Sequence, residues 1–165
     1  MTTIYANYGL ETVKLTWKEV NELPPRELIT SVHGFCFYNN EVLLVNLNER
    51  GWDFPGGHIE LDETPESCFQ REVMEEGYVE GICTFLGYII VDHSENMSWN
   101  EKSPYPKIGY QPFYCMDITT VHDFAGKYES MNRIFIEPSK VNHYYSKWNA
   151  LYEEIFHCAL NLNGK

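Results

Sequence analysis

The sequence predicts a mixed α/β fold, and three observations carry that prediction. Runs rich in β-branched and aromatic residues recur at 29–38, 41–47, 82–92 and 110–118. Two helical patterns stand among and after them, a short acidic one at 65–76 and a longer amphipathic one at 142–162. Strands and helices are interspersed, so two main helices are expected around one mixed sheet, in the α/β or α+β class. With 165 residues, 44% of them hydrophobic, and no linker or repeat, the whole of 1–165 is expected to form one domain.

Residues 13–17 alternate weakly between apolar and polar and predict a first strand, and Leu23-Pro24-Pro25 breaks the chain after it. Segments 29–38 and 41–47, joined at Asn39-Asn40, read as a hairpin. A second turn follows over 48–51. In Phe54-Pro55-Gly56-Gly57-His58, adjacent glycines open backbone conformations closed to other residues and let a ligand approach the main chain. Thr64 is suited to cap a helix, Pro65 to its first position and Glu66 to its first turn. That helix runs to Glu76, buries Cys68, Phe69 and Val73, and meets Gly77, which is placed to stop it. Segment 82–92 reads as a buried strand interrupted at Gly87. Segment 94–108 is polar and turn-rich, a length that signals a functional loop or mobility. Strands at 110–118 and 133–136 follow. Tyr145, Trp148, Leu151, Ile155, Ala159 and Leu162, spaced by three and four, predict one closing helix.

Bulk properties narrow the function. A formal net charge of -12 repels polyanions, so a long nucleic-acid groove is not expected. Small phosphorylated substrates stay open, because a bound cation reverses the local field. The five cysteines, Cys36, Cys68, Cys83, Cys115 and Cys158, are odd in number, scattered and without a CxxC pair, which points to a reducing compartment. The N-terminus has no basic start with an apolar run, and the longest apolar stretch, 85–91, is too short to span a bilayer. The expectation is a cytoplasmic protein without a membrane segment.

The chemistry concentrates in Gly57-x5-Glu63-x7-Arg71-Glu72-Val73-x-Glu75-Glu76. Six such fixed residues arise by chance with an expectation on the order of 10^-5 over a chain this long. On a helix Glu72, Glu75 and Glu76 share one face, where three like charges repel. A hard divalent cation, which takes carboxylate oxygens, waters and substrate phosphates, would explain the cluster. Glu72 and Glu76, one turn apart, are the best pair to bridge metal ions, and Glu75 can add a third ligand or act through water. Arg71 can pair with Glu63 reaching back from the loop and so fix both the loop and the helix start. Without metal, mutual repulsion should raise the carboxylate pKa values.

This segment resembles the signature of the Nudix hydrolase superfamily, Gly-x5-Glu-x7-Arg-Glu-U-x-Glu-Glu-x-Gly-U with U aliphatic, over residues 57–79, and the Phe-Pro-Gly-Gly lead-in belongs to the likeness. The resemblance implies an α/β/α sandwich with a mixed sheet between helices. It implies Mg2+- or Mn2+-dependent cleavage of a phosphoanhydride bond in a nucleoside diphosphate linked to another moiety, such as a nucleoside triphosphate. By resemblance Glu72, Glu75 and Glu76 are metal ligands, with Glu72 or Glu76 also able to activate water. The Gly57 carbonyl is a further ligand, and Glu63 and Arg71 are structural and orienting members of the site. Homodimers are compatible with the family. One position departs: the signature has glycine where this chain has Tyr78, and its glycine, Gly77, comes one place early. Either the helix ends sooner or Tyr78 turns left-handed, at a cost of about 1 kcal/mol. An inactive nucleotide-binding module is the alternative function. An isopentenyl diphosphate isomerase is disfavoured, since no second Cys/Glu constellation flanks the box.

Outside the box the signals are weaker. His58 is a candidate phosphate contact or an ordinary loop histidine, while His33, His93 and His122 read as structural. Trp52 and Tyr38 read as core, with base stacking as the alternative. Glu95 and Glu101 in the 94–108 loop are candidate catalytic bases, Trp99 and Tyr105 candidate covers for a base or sugar, and Arg50 and Lys107 candidate phosphate contacts. Ser94 and Asn96 stand where ADP-ribose hydrolases and dinucleoside polyphosphate hydrolases of the family tend to carry proline and tyrosine.

Overall fold

The computed structural model describes residues 1–8, 11–48 and 50–163. The chain forms β1 (Thr3–Tyr8), β2 (Glu11–Glu19), a 3-10 turn (Arg26–Leu28), β3 (Ser31–Tyr38), β4 (Glu41–Leu47), β5 (Gly51–Asp53), β6 (Gly56–His58) and α1 (Pro65–Gly77). Then come β7 (Val79–Asp92), β8 (Ile108–Val121), β9 (Ser130–Ile136), a second 3-10 turn (Pro138–Lys140), α2 (Val141–Tyr144) and α3 (Ala150–Asn163). The strands make one sheet in the order β1-β2-β7-β8-β3-β4-β5, with β6 added to β3 and β9 to β4. Every pairing among these strands is antiparallel except β3 with β8, which makes the sheet mixed.

Alternation along the central strands builds two cores. Phe35 and Phe37 of β3, Val42 and Leu44 of β4, and Phe113 and Cys115 of β8 face α3 and pack on Leu151, Ile155, Phe156 and Ala159. Their neighbours Val32, Cys36, Leu43, Val45, Tyr114 and Met116 face the opposite way, onto Cys68, Phe69 and Val73 of α1. The fold is therefore an α/β/α sandwich. Phe69 fixes the depth of α1: its ring lies where a Cβ on Gly34 would stand 2.7 Å away, and that Cβ would also meet the Tyr114 carbonyl at 2.2 Å. Only glycine lets β3, β8 and α1 converge there.

Several sequence expectations need correction. The 29–47 hairpin exists, with Asn39 and Asn40 both left-handed at φ 51° and 64°. Yet β3 pairs β4 only at Phe37–Val42 and Tyr38–Glu41 and then leaves it for β6 and β8. β1 was not expected, and β2 extends well beyond 13–17, because both are half-exposed strands with weak alternation. β7 and β8 are longer than predicted and pair along almost their whole lengths, with irregularities at Gly81 and Gly87. The closing helix is not continuous. It breaks after Tyr144, Tyr145 turns extended, and α3 starts at Ala150, with the Asn149 side chain accepting from Tyr152 N at 3.0 Å. The aromatic rings fix that break: Tyr145 lies edge-on to Phe54 at 5.2 Å and Trp148 edge-on to Phe156 at 5.6 Å. Trp52 packs beside the α3-side core, edge-on to Tyr144, and Tyr38 lies against Phe135. Among the described residues no helix is long and apolar enough to cross a membrane.

Replacing Gly34 by alanine is expected to destabilise the protein by about 2 kcal/mol or more, since both neighbours of the new methyl are buried and one is backbone. Urea unfolding of Gly34→Ala reads this, and a midpoint equal to wild type would contradict the packing argument.

Candidate active site

The acidic helix is anchored before it is functional. Thr64 caps α1 by accepting from Ser67 N at 3.1 Å, and Ser67 Oγ accepts from Thr64 N at 2.9 Å, a reciprocal box with serine in the usual glutamate position. Pro65 fills the first turn as predicted. Arg71 then reaches back to the loop. Its Nε donates to Glu63 Oε2 at 2.6 Å and its Nη2 to Glu63 Oε1 at 2.9 Å, a bidentate pair. The same guanidinium donates to Glu72 at 2.8 Å, to Glu75 at 3.3 Å and to the His58 carbonyl at 3.2 Å. Glu63 Oε1 also accepts from Glu60 N at 2.8 Å. Arg26 pins the same loop from outside, donating to the Glu63 and Glu60 carbonyls at 3.0 and 2.8 Å.

The glycine pair meets this helix at close range. A Cβ on Gly57 would stand 2.6 Å from the Glu72 carboxylate, so glycine is what brings backbone and carboxylate together. Glu76 is 3% exposed, and its Oε1 accepts from Gly56 N at 2.9 Å. At the helix end Gly77 is still helical, and a Cβ there would meet Leu43 at 2.6 Å. Tyr78 takes the left-handed cap at φ 56°, the second of the two outcomes its sequence position allowed. Its ring packs edge-on against Phe124 at 4.9 Å and its hydroxyl accepts from Lys127 N at 2.8 Å. Arg133 donates to the Gly77, Tyr78 and His122 carbonyls at 2.7, 3.2 and 2.6 Å, and Ser130 to the Glu76 carbonyl at 2.7 Å. Helix and carboxylates thus keep their place despite the departure from the signature.

Electrostatics differ from the expectation of mutual repulsion. Burial is the main cause that raises the Glu72 carboxyl, with Arg71 opposing it and Glu75 and Glu129 adding smaller contributions. Burial also pushes Glu76 up to about 8, against its bond from Gly56 N. Glu63 moves the other way, held below the ordinary carboxylate range by its bond from Arg71. Arg71 itself is raised by Glu63.

These groups line a cavity of about 940 Å³ holding Gly57, His58, Arg71, Glu72, Glu75 and Glu76, with Arg50 on its wall. Its donor set is hard oxygen, the kind a divalent cation takes. As the side chains stand, among the described residues no three His, Cys, Asp or Glu form a group that could hold a metal ion. Glu72 and Glu75 turn to Arg71 and Glu76 to Gly56, so a cation would have to draw them from these partners. Glu95, Glu101, Trp99 and Lys107 do not reach this cavity. The Trp99 indole donates to the Tyr105 carbonyl at 3.0 Å, and Lys107 lies 5.9 Å from the Trp99 ring centroid. Tyr105 turns inward, its ring stacked 6.4 Å from that of His58. Sequence reading missed His33, Gln111 and Glu129 on the wall and Arg26 and Arg133 behind it. Strand pairing and long loops deliver these residues, and no local spacing marks them.

Residues 28–107 match the family model described as NUDIX domain. No curated protein matches the chain. Among solved structures, a pyrophosphohydrolase from Bacillus subtilis, BsRppH, superposes with a TM-score of 0.75 at 18% identity, over 99% of this chain and 98% of that one. An ADP-ribose pyrophosphatase from Streptococcus suis gives 0.52 at 16% identity, over 82% and 91%. The MutT protein from Methanosarcina mazei gives 0.55 at 21% identity, over 83% and 96%. At such identities the likeness concerns the fold, while the family rests on the domain match together with the Gly57–Val79 signature found on the helix and loop described above. By that match, residues 28–107 of this chain are identified as a NUDIX domain.

Proposed function

We propose that the protein is a divalent-metal-dependent hydrolase that cleaves a phosphoanhydride bond in a nucleoside diphosphate linked to another moiety, a nucleoside triphosphate or a nucleotide derivative. The observation that carries this reading is Glu76, a buried carboxyl group that makes no ion pair among the described residues, set one helical turn from Glu72 and against the Gly56-Gly57 backbone. Such a group is costly alone and is relieved by a cation. Glu72, Glu75, Glu76 and the Gly57 carbonyl would hold Mg2+ or Mn2+, which neutralises phosphate charge and lowers the pKa of a bound water. Arg71 and Glu63 orient the helix against the loop, and Glu72 or Glu76, once ionised, accepts the proton of the attacking water. His58 and Arg50 face the same space and suit the phosphates. Two of the structural relatives carry pyrophosphohydrolase and pyrophosphatase names, which supports the reaction class. We further read residues 1–165 as one domain and place it in the cytoplasm, in keeping with five free cysteines.

Incubation with Mg2+ or Mn2+ and a panel of nucleoside triphosphates, nucleotide sugars, ADP-ribose and dinucleoside polyphosphates, read by mass, tests the reading. One class is expected to be cleaved, with turnover falling at least about 100-fold in Glu76→Gln. Binding without product across the panel would replace it with a non-hydrolysing nucleotide-binding module.

Burial of Glu76 gives an independent prediction for the metal-free protein. Its folded pKa of about 8 lies above the ordinary value of 4.5. Between these values the unfolded chain sheds a proton that the fold retains, so stability present below pH 4.5 is lost as pH rises toward 8. With chelator present, Glu76→Gln is expected to be more stable than wild type at pH 8 by about 4 kcal/mol and nearly equal to it near pH 4.5. Urea midpoints at the two pH values measure this, and a pH-independent difference would refute the account.

A further inference from the structure

Tyr78 is held in a conformation that its side chain does not favour. It is a bulky residue at φ 56°, a region that such side chains seldom adopt, and it is only 8% exposed. A glycine at this position would cap α1 with the same backbone bond, from its own N to the Met74 carbonyl at 3.1 Å, and without strain. The cap therefore does not need the side chain. Strain at a single residue persists where the surroundings over-determine it, and it gathers at sites that serve function. What the Tyr78 side chain holds is the connection between β8 and β9.

That connection, residues 122–129, has no regular structure. Its ends are tied by backbone, His122 N donating to the Tyr78 carbonyl at 2.8 Å and the Glu129 carbonyl accepting from Asn48 N at 3.2 Å. Between them, among the described residues, 123–128 makes a single hydrogen bond, from Lys127 N to the Tyr78 hydroxyl at 2.8 Å. The Tyr78 ring adds contacts with Phe124 at 4.9 Å and Tyr128 at 6.5 Å. One buried phenol thus clamps the whole stretch onto the end of α1. Beyond the clamp, Tyr128 and Glu129 stand on the wall of the acidic cavity. Glu129 meets the loop after β4 twice, through the Asn48 bond and through its carboxylate, which accepts from Arg50 Nη2 at 3.5 Å. Arg50, itself exposed, stands on the same wall. An arginine with an exposed head has many rotamers, and a carboxylate fixed beside it narrows them.

We propose that Tyr78 is a positioning residue for the reaction: it fixes segment 122–129 on the end of α1, and through Glu129 it sets Arg50 to receive the phosphates. The role of Arg50 rests on the reading under Proposed function, while the clamp is measured without substrate. Amide hydrogen exchange followed by NMR on the metal-free protein reads the clamp. In Tyr78→Gly, whose backbone keeps the cap, the Lys127 and Asn48 amides are expected to exchange at least about tenfold faster than in wild type, with those of α1 unchanged. With a panel compound that wild type cleaves, Tyr78→Gly is expected to raise KM at least about tenfold and to leave kcat within about threefold, the mark of binding lost equally from ground and transition states. Arg50→Ala is expected to do the same, and the double variant to be no worse than Arg50→Ala alone. Tyr78→Phe removes the Lys127 bond alone and carries the same comparisons if Tyr78→Gly does not fold. Unchanged exchange at Asn48 would overturn the clamp. A fall in kcat with KM unchanged, or KM effects of Tyr78→Gly and Arg50→Ala that multiply, would overturn the route through Arg50. Faster exchange at both amides in a protein that cleaves no panel compound would keep the clamp and fault the hydrolase reading.

Discussion

The bidentate pairing of Arg71 with Glu63 is the contact on which the rest of the site depends. It ties the loop after β6 to the middle of α1, and the same guanidinium holds Glu72, Glu75 and the His58 carbonyl. A lysine could not make this set, since it lacks the planar fork that serves several acceptors at once. The loop is held from its far side by Arg26, so two arginines fix a stretch with no regular structure. Glu72 and Glu75 are thereby kept together on one face of α1 against their own repulsion.

That arrangement carries a cost placed where function would use it. Glu76 is buried beside the glycine turn and Glu72 is partly desolvated, and burial more than neighbouring charge raises both. The helix end shows a similar compromise. Gly77 serves packing on Leu43, which leaves Tyr78 to take the left-handed turn. Phe124 offsets the strain through a ring contact, Lys127 N by donating to the Tyr78 hydroxyl, and Arg133 by donating to the Gly77 and Tyr78 carbonyls. Moving the glycine by one position therefore leaves the carboxylates on their face of α1.

The acidic helix was legible because its determinants are local. Capping by Thr64, Pro65 in the first turn and the spacing of Glu72, Glu75 and Glu76 act within one or two turns. The Arg71–Glu63 pair was legible for the same reason, being eight residues apart across one turn of chain. Glu129, His33 and Gln111 were not, because they reach the cavity through sheet pairing and long connections. The closing helix breaks near its expected start because apolar spacing at Tyr145 and Trp148 records packing on the core, and Tyr145 is buried and Trp148 partly buried in non-helical backbone.

The alternating core strands, the capped acidic helix, the glycine turn and the chemical character of the site each follow from residues near one another in the chain. Tertiary structure alone decided the parallel pairing of β3 with β8, the break before α3 and the anchoring of 122–129 by Tyr78. Those features arise when distant segments compete for the same buried space, and no local pattern encodes the outcome of that competition.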